Sequence, residues 1–322
     1  MTDITVLICA YTEKRWEELC AAVQSAQTQS LSPREVILVV DHNPNLWERA
    51  RAQFSDIILL ENHETHGLAG TRNTGIVHAQ GDVIAFLDDD AIATPNWLEL
   101  LSAGYEDPQI VGVGGKLEPL WPNGRPGWFP EEFDWVVGCT YRGLPEERRP
   151  IRNLIGANMS FRREVFGQVT FYSGIGHTPN NPFGGSDPDF CIRVTQCFPE
   201  KALLYEPRAL VYHHVDDKRT HWNYFCLRCF NEGLSKSVLT RRVGSQVGLS
   251  SERKYTLHTL PKAARQGLVD ALHGDLAGLG RSFAIAAGLI ITATGYFIGS
   301  VRQRLASWKS LRRQPEVRER LV

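Results

Sequence analysis

The sequence predicts an α/β fold, a mostly parallel sheet with helices on both faces, followed by a helical C-terminal segment. Two observations carry the sheet: short β-branched apolar runs recur through the first 115 residues, and segments of helical period separate them. A third observation carries the tail, because no further sheet signal follows about residue 235.

The expected strands are Ile4 to Ala10, Val36 to Val40, Ile57 to Leu60, Val83 to Leu87 and Ile110 to Val113. Each is a short run of mainly apolar side chains, as a strand buried on both faces requires. Between them, Trp16 to Gln27, Leu46 to Phe54, Ala69 to Ala79 and Pro95 to Tyr105 read as helices, the last with Thr94 as its cap and a first-turn proline. Repeated βαβ units put ligand-binding loops at the carboxyl ends of the strands. Those ends carry Ala10-Tyr11-Thr12, Asp41-His42-Asn43, Glu61-Asn62 and Asp88-Asp89-Asp90.

From about Leu117 to Asn153 the pattern gives way to a proline-rich stretch containing Trp121, Trp128 and Trp135. Long irregular segments within a domain are usually functional. A strand and short helix over NLIGANMSFRREVF come next, then a Gly/Pro/Asn-rich loop through Gly185, a helix from Asp187 to Cys197, a strand from Ala209 to His213 and a helix starting near Arg219. The expected division is a first domain over 1–235 and a helical region over 236–322, with an apolar helix at 283–301 and a basic tail at 302–322.

The 322 residues carry 35 Lys+Arg and 36 Asp+Glu, with 43% hydrophobic residues, which excludes disorder and fibrous folds. A net charge of −1 argues against nucleic acid as a partner. Seven cysteines and an N-terminus without signal-peptide features imply a reduced, cytoplasmic setting.

The strongest chemical signal is FLDDDA, three consecutive carboxylates at a strand end. Like charges this close need compensation, and a hard divalent cation, Mg²⁺ or Mn²⁺, that neutralises a diphosphate would provide it. A helix-capping acidic turn is the plainer alternative. A zinc site from His213, His214, His221, Cys226 and Cys229 is a further alternative, although the spacing fits no common finger.

FLDDDA preceded by GLAGTRNTGIVHAQGD, together with ITVLICAYTE, VILVVDHNP, GANMSFRREVF and GGSDPDFCIR, resembles the signature of family 2 glycosyltransferases with the GT-A fold, over roughly residues 4 to 235. The resemblance implies an inverting transferase that uses a nucleotide-diphosphosugar, UDP-, GDP- or dTDP-linked, and a saccharide or lipid-linked acceptor in cell-envelope, polysaccharide or glycolipid synthesis. Carried over residue by residue, it puts Cys9, Tyr11, Asp41, Arg72, Asp88 and Asp89 on the nucleotide side and Asp90 on the metal. Asp187 becomes the general base. His213, in LVYHHVDDKRTHW, becomes a metal or diphosphate neighbour, favoured over His214 because alternate strand residues face opposite ways. Asn158, Trp128, Trp135 and Asp189 fall on the acceptor side. Two departures stand out: His42 replaces a second acidic residue, and Ser186 replaces the usual Glu before the base. They leave room for the alternative of a catalytically silent module that binds nucleotide sugar or a partner.

Phe283 to Val301 is a 19-residue run without charge, and 302–322 carries seven basic and two acidic residues, a balance of +5 that leaves −6 on the rest. A polybasic stretch beside an apolar helix suits anionic lipid, so association with the inner face of the membrane is expected. Crossing the bilayer once would carry the basic tail outward, against the positive-inside rule. The stripe Ala284, Gly288, Thr292, Gly295 and Gly299 suits close packing on another helix, whether of this chain or of a second copy in a homo-oligomer.

Overall fold

The computed structural model describes residues 2–173, 184–244 and 250–313. It forms two compact units, Met1–His221 and Trp222–Val322.

In the first unit the strands are β1 (Ile4–Ala10), β2 (Glu35–Val40), β3 (Ile58–Glu61), β4 (Val83–Asp88), β5 (Ala91–Ala93), β6 (Ile110–Leu120), β7 (Arg149–Ile151), β8 (Asn158–Arg162) and β9 (Ala202–His214). The helices are α1 (Trp16–Gln27), α2 (Pro44–Gln53), α3 (Leu68–His78), α4 (Trp97–Gly104) and α5 (Ser186–Cys197). The strands make one sheet in the order β3-β2-β1-β4-β8-β6-β9-β5, with β7 on β9. Pairs β3-β2, β2-β1 and β1-β4 are parallel, as the βαβ repetition requires. Beyond β4 the sheet becomes mixed, because β8 enters antiparallel to both β4 and β6.

Buried aliphatic side chains fill β1, β2 and β4, while Phe86, Phe161, Phe171 and Phe190 join α5 to the sheet. Phe171 and Phe190 stack with centroids 4.1 Å apart. Such packing brings α5, and the acidic residues of its first turn, to the carboxyl edge of the parallel strands.

Several local expectations need correction. Thr94 does not cap α4; its hydroxyl donates to the Leu210 carbonyl at 2.9 Å, and the helix starts from Asn96. β6 and β9 extend well past the runs expected from composition, because each completes the other's backbone hydrogen bonding. β5 has three residues, too few for a periodic signal, and forms only by pairing with β9. Residues 174–183 of the Gly/Pro/Asn-rich loop lie outside the described residues.

The second unit contains α6 (Trp222–Val243), α7 (Ser250–Lys254), α8 (Leu260–Leu272) and α9 (Ala277–Arg313). α6 continues unbroken through residue 235, where the first domain was expected to end. α9 runs alongside α6 in parallel: Phe283 stacks on Trp222, a Cβ on Gly295 would meet the Phe230 carbonyl, and Arg241 donates to the Gln303 carbonyl at 3.0 Å. α8 lies antiparallel to α9, with Gly267 against Gly278 and Ser282 donating to the Ala264 carbonyl at 2.7 Å. Helices of the same chain therefore fill the small-residue stripe, and it offers no surface to a second copy.

Candidate active site

The site forms where β4 ends and β9 crosses β5. Antiparallel pairing sets His213 against Ala91, and the His214 amide donates to the Asp90 carbonyl at 2.8 Å. This register turns His213 inward. Its Nε2 lies 3.2 Å from Asp90 Oδ1, and single donor atoms of Asp88, Asp90 and His213 all fall within 4.8 Å of one another. Among the described residues this is the only such group of metal-ligating side chains. Two carboxylates and an imidazole are a donor set suited to Mn²⁺ or Mg²⁺.

Electrostatics separate the three aspartates. Burial pushes the Asp90 carboxyl up, but His213 beside it, with Arg15 at 2.9 Å and Arg219 at 4.0 Å, outweighs that and holds it well below the usual carboxylate range. Asp89 moves the other way: burial and the neighbouring Asp90 charge push it up to about 7 against the pull of Arg15. For His213, burial disfavours the cation, yet Asp90 reverses this and raises the imidazole well above its ordinary value. Asp90 thus stays ionised beside Arg15, Arg219 and the His213 imidazole.

Asp187 stands at the start of α5. Arg72 donates to its Oδ1 at 2.7 Å, the Gly156 amide to its Oδ2 at 3.2 Å, and the Ser186 hydroxyl to Oδ1 at 3.2 Å. Arg72 also approaches Asp88 at 3.7 Å, so one guanidinium links the carboxylate at the end of β4 to the one on α5. A side chain at position 156 would collide with both Asp187 and Arg72, which explains the glycine there.

Four of the expected site residues are engaged by partners within the protein. Arg72, 2% exposed, lies near the Phe86 and Phe171 rings and uses its donors on Asp187 and the Gly156 carbonyl, as an internal strut. Asp89 is buried and accepts from Arg15 at 2.9 Å. Asp189 is buried and paired with Arg193 one turn along α5. Asn158 is 0% exposed: its Oδ1 accepts from the Trp97 indole at 2.8 Å, and its Nδ2 donates to the carbonyls of Lys116 and Ala209 at 2.9 and 2.8 Å. It joins three strands and α4. Asn158→Ala is expected to cost about 3 kcal/mol or more of stability, because three buried polar groups lose their partner. Urea unfolding checks this; a loss below about 1 kcal/mol would contradict the structural role.

At the carboxyl end of β1, Cys9 pairs in register with Asp88, and Tyr11 stands largely exposed. Asp41 is buried and accepts from Asn62 at 2.6 Å and from the Gly67 amide at 2.9 Å, while His42 Nδ1 lies 2.9 Å away. Asp41 therefore organises the turn more than it presents itself. The partly exposed rings of His42 and His66, 5.0 Å apart, form the outer face. Sequence reasoning placed Asn62 at a strand end without giving it a role and missed His66; the clue was a polar residue beside the turn before GLAGTRN.

The tryptophan segment is divided. Phe129 and Phe133 are core residues, and Trp121, Trp128 and Trp135 remain partly exposed around them. Arg125 clamps the segment through paired hydrogen bonds to Asp134 at 2.6 and 2.8 Å. Its far end reaches the site: Cys139 Sγ lies 3.7 Å from His213 Nδ1, and Arg219 donates to the Val137 carbonyl at 3.4 Å.

Comparison with known proteins agrees with this geometry. A sequence model described as glycosyl transferase family 2 matches residues 5–170. The chain is 36% identical over 241 residues to a glucosyl-dolichyl phosphate glucuronosyltransferase of Haloferax volcanii, covering 73% of this chain and 77% of that one. It is 27% identical over 196 residues to the glycosyltransferase AglE of the same organism, covering 60% of this chain and 61% of that protein. Among solved structures, the mannosyltransferase PcManGT from Pyrobaculum calidifontis, in complex with GDP-Man and Mn²⁺, shares the fold with a TM-score of 0.57 at 18% identity, over 95% of this chain and 89% of that one.

Proposed function

Because the chain belongs to glycosyl transferase family 2 and is a glycosyltransferase of the GT-A fold, we propose that it is an inverting, metal-assisted enzyme that moves a sugar from a nucleotide-diphosphosugar to a lipid-linked saccharide. The observation that carries the reading is the junction of two functions on one side chain: Arg72 bridges Asp88, in the Asp88-Asp90-His213 group, to Asp187.

In this reading Asp88, Asp90 and His213 would hold Mn²⁺ or Mg²⁺, which when bound would supply positive charge against the negative charge of a departing diphosphate. Asp187 accepts the proton of the acceptor hydroxyl as its oxygen attacks the anomeric carbon from the side opposite the diphosphate, which inverts the configuration. Arg72, Ser186 and the Gly156 amide hold the Asp187 carboxylate in one orientation while its side chain remains partly open to solvent. The partly exposed indoles of Trp128 and Trp135 stack on the acceptor and exclude water. His42, His66 and Tyr11 line the nucleotide end.

The relative named for glucuronosyl transfer to glucosyl-dolichyl phosphate narrows the reading to a glucuronosyl donor and a lipid-phosphate-linked glucose acceptor. Such a reaction belongs on the cytoplasmic face of the membrane, and the apolar α9 with its basic continuation supports that location. Purified full-length protein, given Mn²⁺ or Mg²⁺, a lipid-phosphate-linked glucose and a panel of nucleotide sugars, is expected to release nucleotide most rapidly with a glucuronosyl donor. Metal-independent behaviour, or no turnover with any donor, would overturn the reading.

A further inference from the structure

The second unit has an apolar surface that the sugar-transfer site does not explain. Along α9 the exposed positions are Leu279, Phe283, Ala286, Ile290, Ala293, Phe297, Val301 and Leu305, recurring every three or four residues on one face. Phe283, Ile290 and Phe297 are 65%, 66% and 69% exposed. From Leu279 to Leu305 the stripe is about 39 Å long at the α-helical rise. α8 and the turn after it add Leu268, Leu272 and Leu276, with Leu272 87% exposed. An apolar face of this extent on a soluble surface marks an interaction site.

Two occupants compete, a bilayer core crossed by α9 and a leaflet entered from one side, and the packing of α9 decides between them. α6 accompanies α9 through the whole uncharged run, from Trp222 beside Phe283 to Arg241 beside Gln303. The interval contains Arg228, Glu232 and Lys236, and Lys236 ties in Glu232 and also Glu252 of α7. A membrane-spanning α9 would draw these charges into the hydrocarbon, where each is strongly disfavoured. The close Gly233–Gly295 and Ser237–Gly299 contacts leave no room to separate the helices. Entry by the exposed face alone buries the aromatic and aliphatic stripe and leaves α6 outside.

We propose that the second unit is monotopic: the Leu279–Leu305 face of α9 and the leucines of α8 sink into one anionic leaflet, and no segment of α9 crosses it. The mode matches an interfacial helix, apolar on one face and followed by basic residues. Arg302 and Arg304 end the stripe, and the +5 balance of 302–322 complements anionic headgroups. The inference rests on the membrane-surface reading of the function and specifies how that surface is engaged.

The test uses the full chain with a tag at each end. In sealed inverted membrane vesicles, protease is expected to remove both tags, because both lie on the cytoplasmic side. Protection of the C-terminal tag alone would overturn the monotopic mode while leaving membrane association intact. In flotation, the chain is expected to bind phosphatidylglycerol-containing vesicles and to bind pure phosphatidylcholine more weakly. The triple variant Phe283→Glu, Ile290→Glu, Phe297→Glu is expected to lose about 100-fold or more in partitioning, since three inserted apolar groups become charged. Metal-dependent donor binding and helical circular dichroism should both be unchanged in that variant, which shows that each unit folds. Flotation of the variant equal to the wild type would also overturn the inference. Failure of the wild type to float at all would defeat both this inference and the membrane part of the functional reading, whereas the transferase assay would stand.

Discussion

Asp187→Asn is expected to keep metal-dependent donor binding and to lower the transfer rate by about 10²- to 10⁴-fold, the usual worth of a positioned general base. The substitution preserves shape and removes the group that accepts the hydroxyl proton. It does not leave the surroundings untouched. With Arg72 on one oxygen and the Gly156 amide on the other, an Asn amide must turn an N–H toward one of these donors. A modest stability loss is therefore expected, and thermal unfolding should accompany the kinetics. Calorimetric donor binding provides the separation: intact binding with lost transfer identifies the base, and unchanged transfer would remove Asp187 from that role.

Asp90→Ala should act earlier in the cycle. Asp90 is the carboxylate held ionised by His213, Arg15 and Arg219, so its removal takes a negative ligand out of a site that keeps the positive charge of Arg15 and Arg219. Metal affinity is expected to fall at least about 100-fold, at the upper end of what supporting groups around a metal contribute. Transfer should fall by about 10²- to 10³-fold or more, as when a preorganised electrostatic contact is lost. Mn²⁺ titration followed calorimetrically reads the first effect, and initial rates at saturating metal read the second. Because Arg15 keeps its bond to Asp89, the fold should persist. An unaltered Mn²⁺ dependence would exclude Asp90 as a ligand.

Much of this site can be read in the chain because its parts sit at strand ends. Asp88 and Asp90 follow a continuous apolar run, and Asp187 follows a glycine pair at a helix start, so each announces an edge position by local composition. Asn158, Asp189, Arg72 and Asp89 were expected at a ligand, and the structure gives each of them partners within the protein. A polar residue in a motif looks the same in sequence whether its hydrogen bonds go to a ligand or to the protein, and only the partners distinguish the cases. Trp97, Lys116 and Ala209 claim Asn158 from three distant parts of the chain. His66 was missed because its value comes from a neighbouring ring, His42, rather than from spacing.

The sequence by itself determined the parallel half of the sheet, the order of its helices, the acidic strand end and the apolar and basic character of the C-terminal region. All of these are carried by periodicity or composition within some twenty residues, the range over which a local pattern dictates which face is buried. Tertiary structure decided how His213 meets Asp90, which the family resemblance had only placed near one metal, since a three-residue strand with no signal of its own had to find β9 across more than a hundred residues. It also decided that Arg72 is a strut between Asp88 and Asp187, and that α9 shows lipid-suited side chains outward while its glycines close on α6. Helical spacing assigns residues to faces, but only packing says which face finds a protein partner and which is left for the membrane.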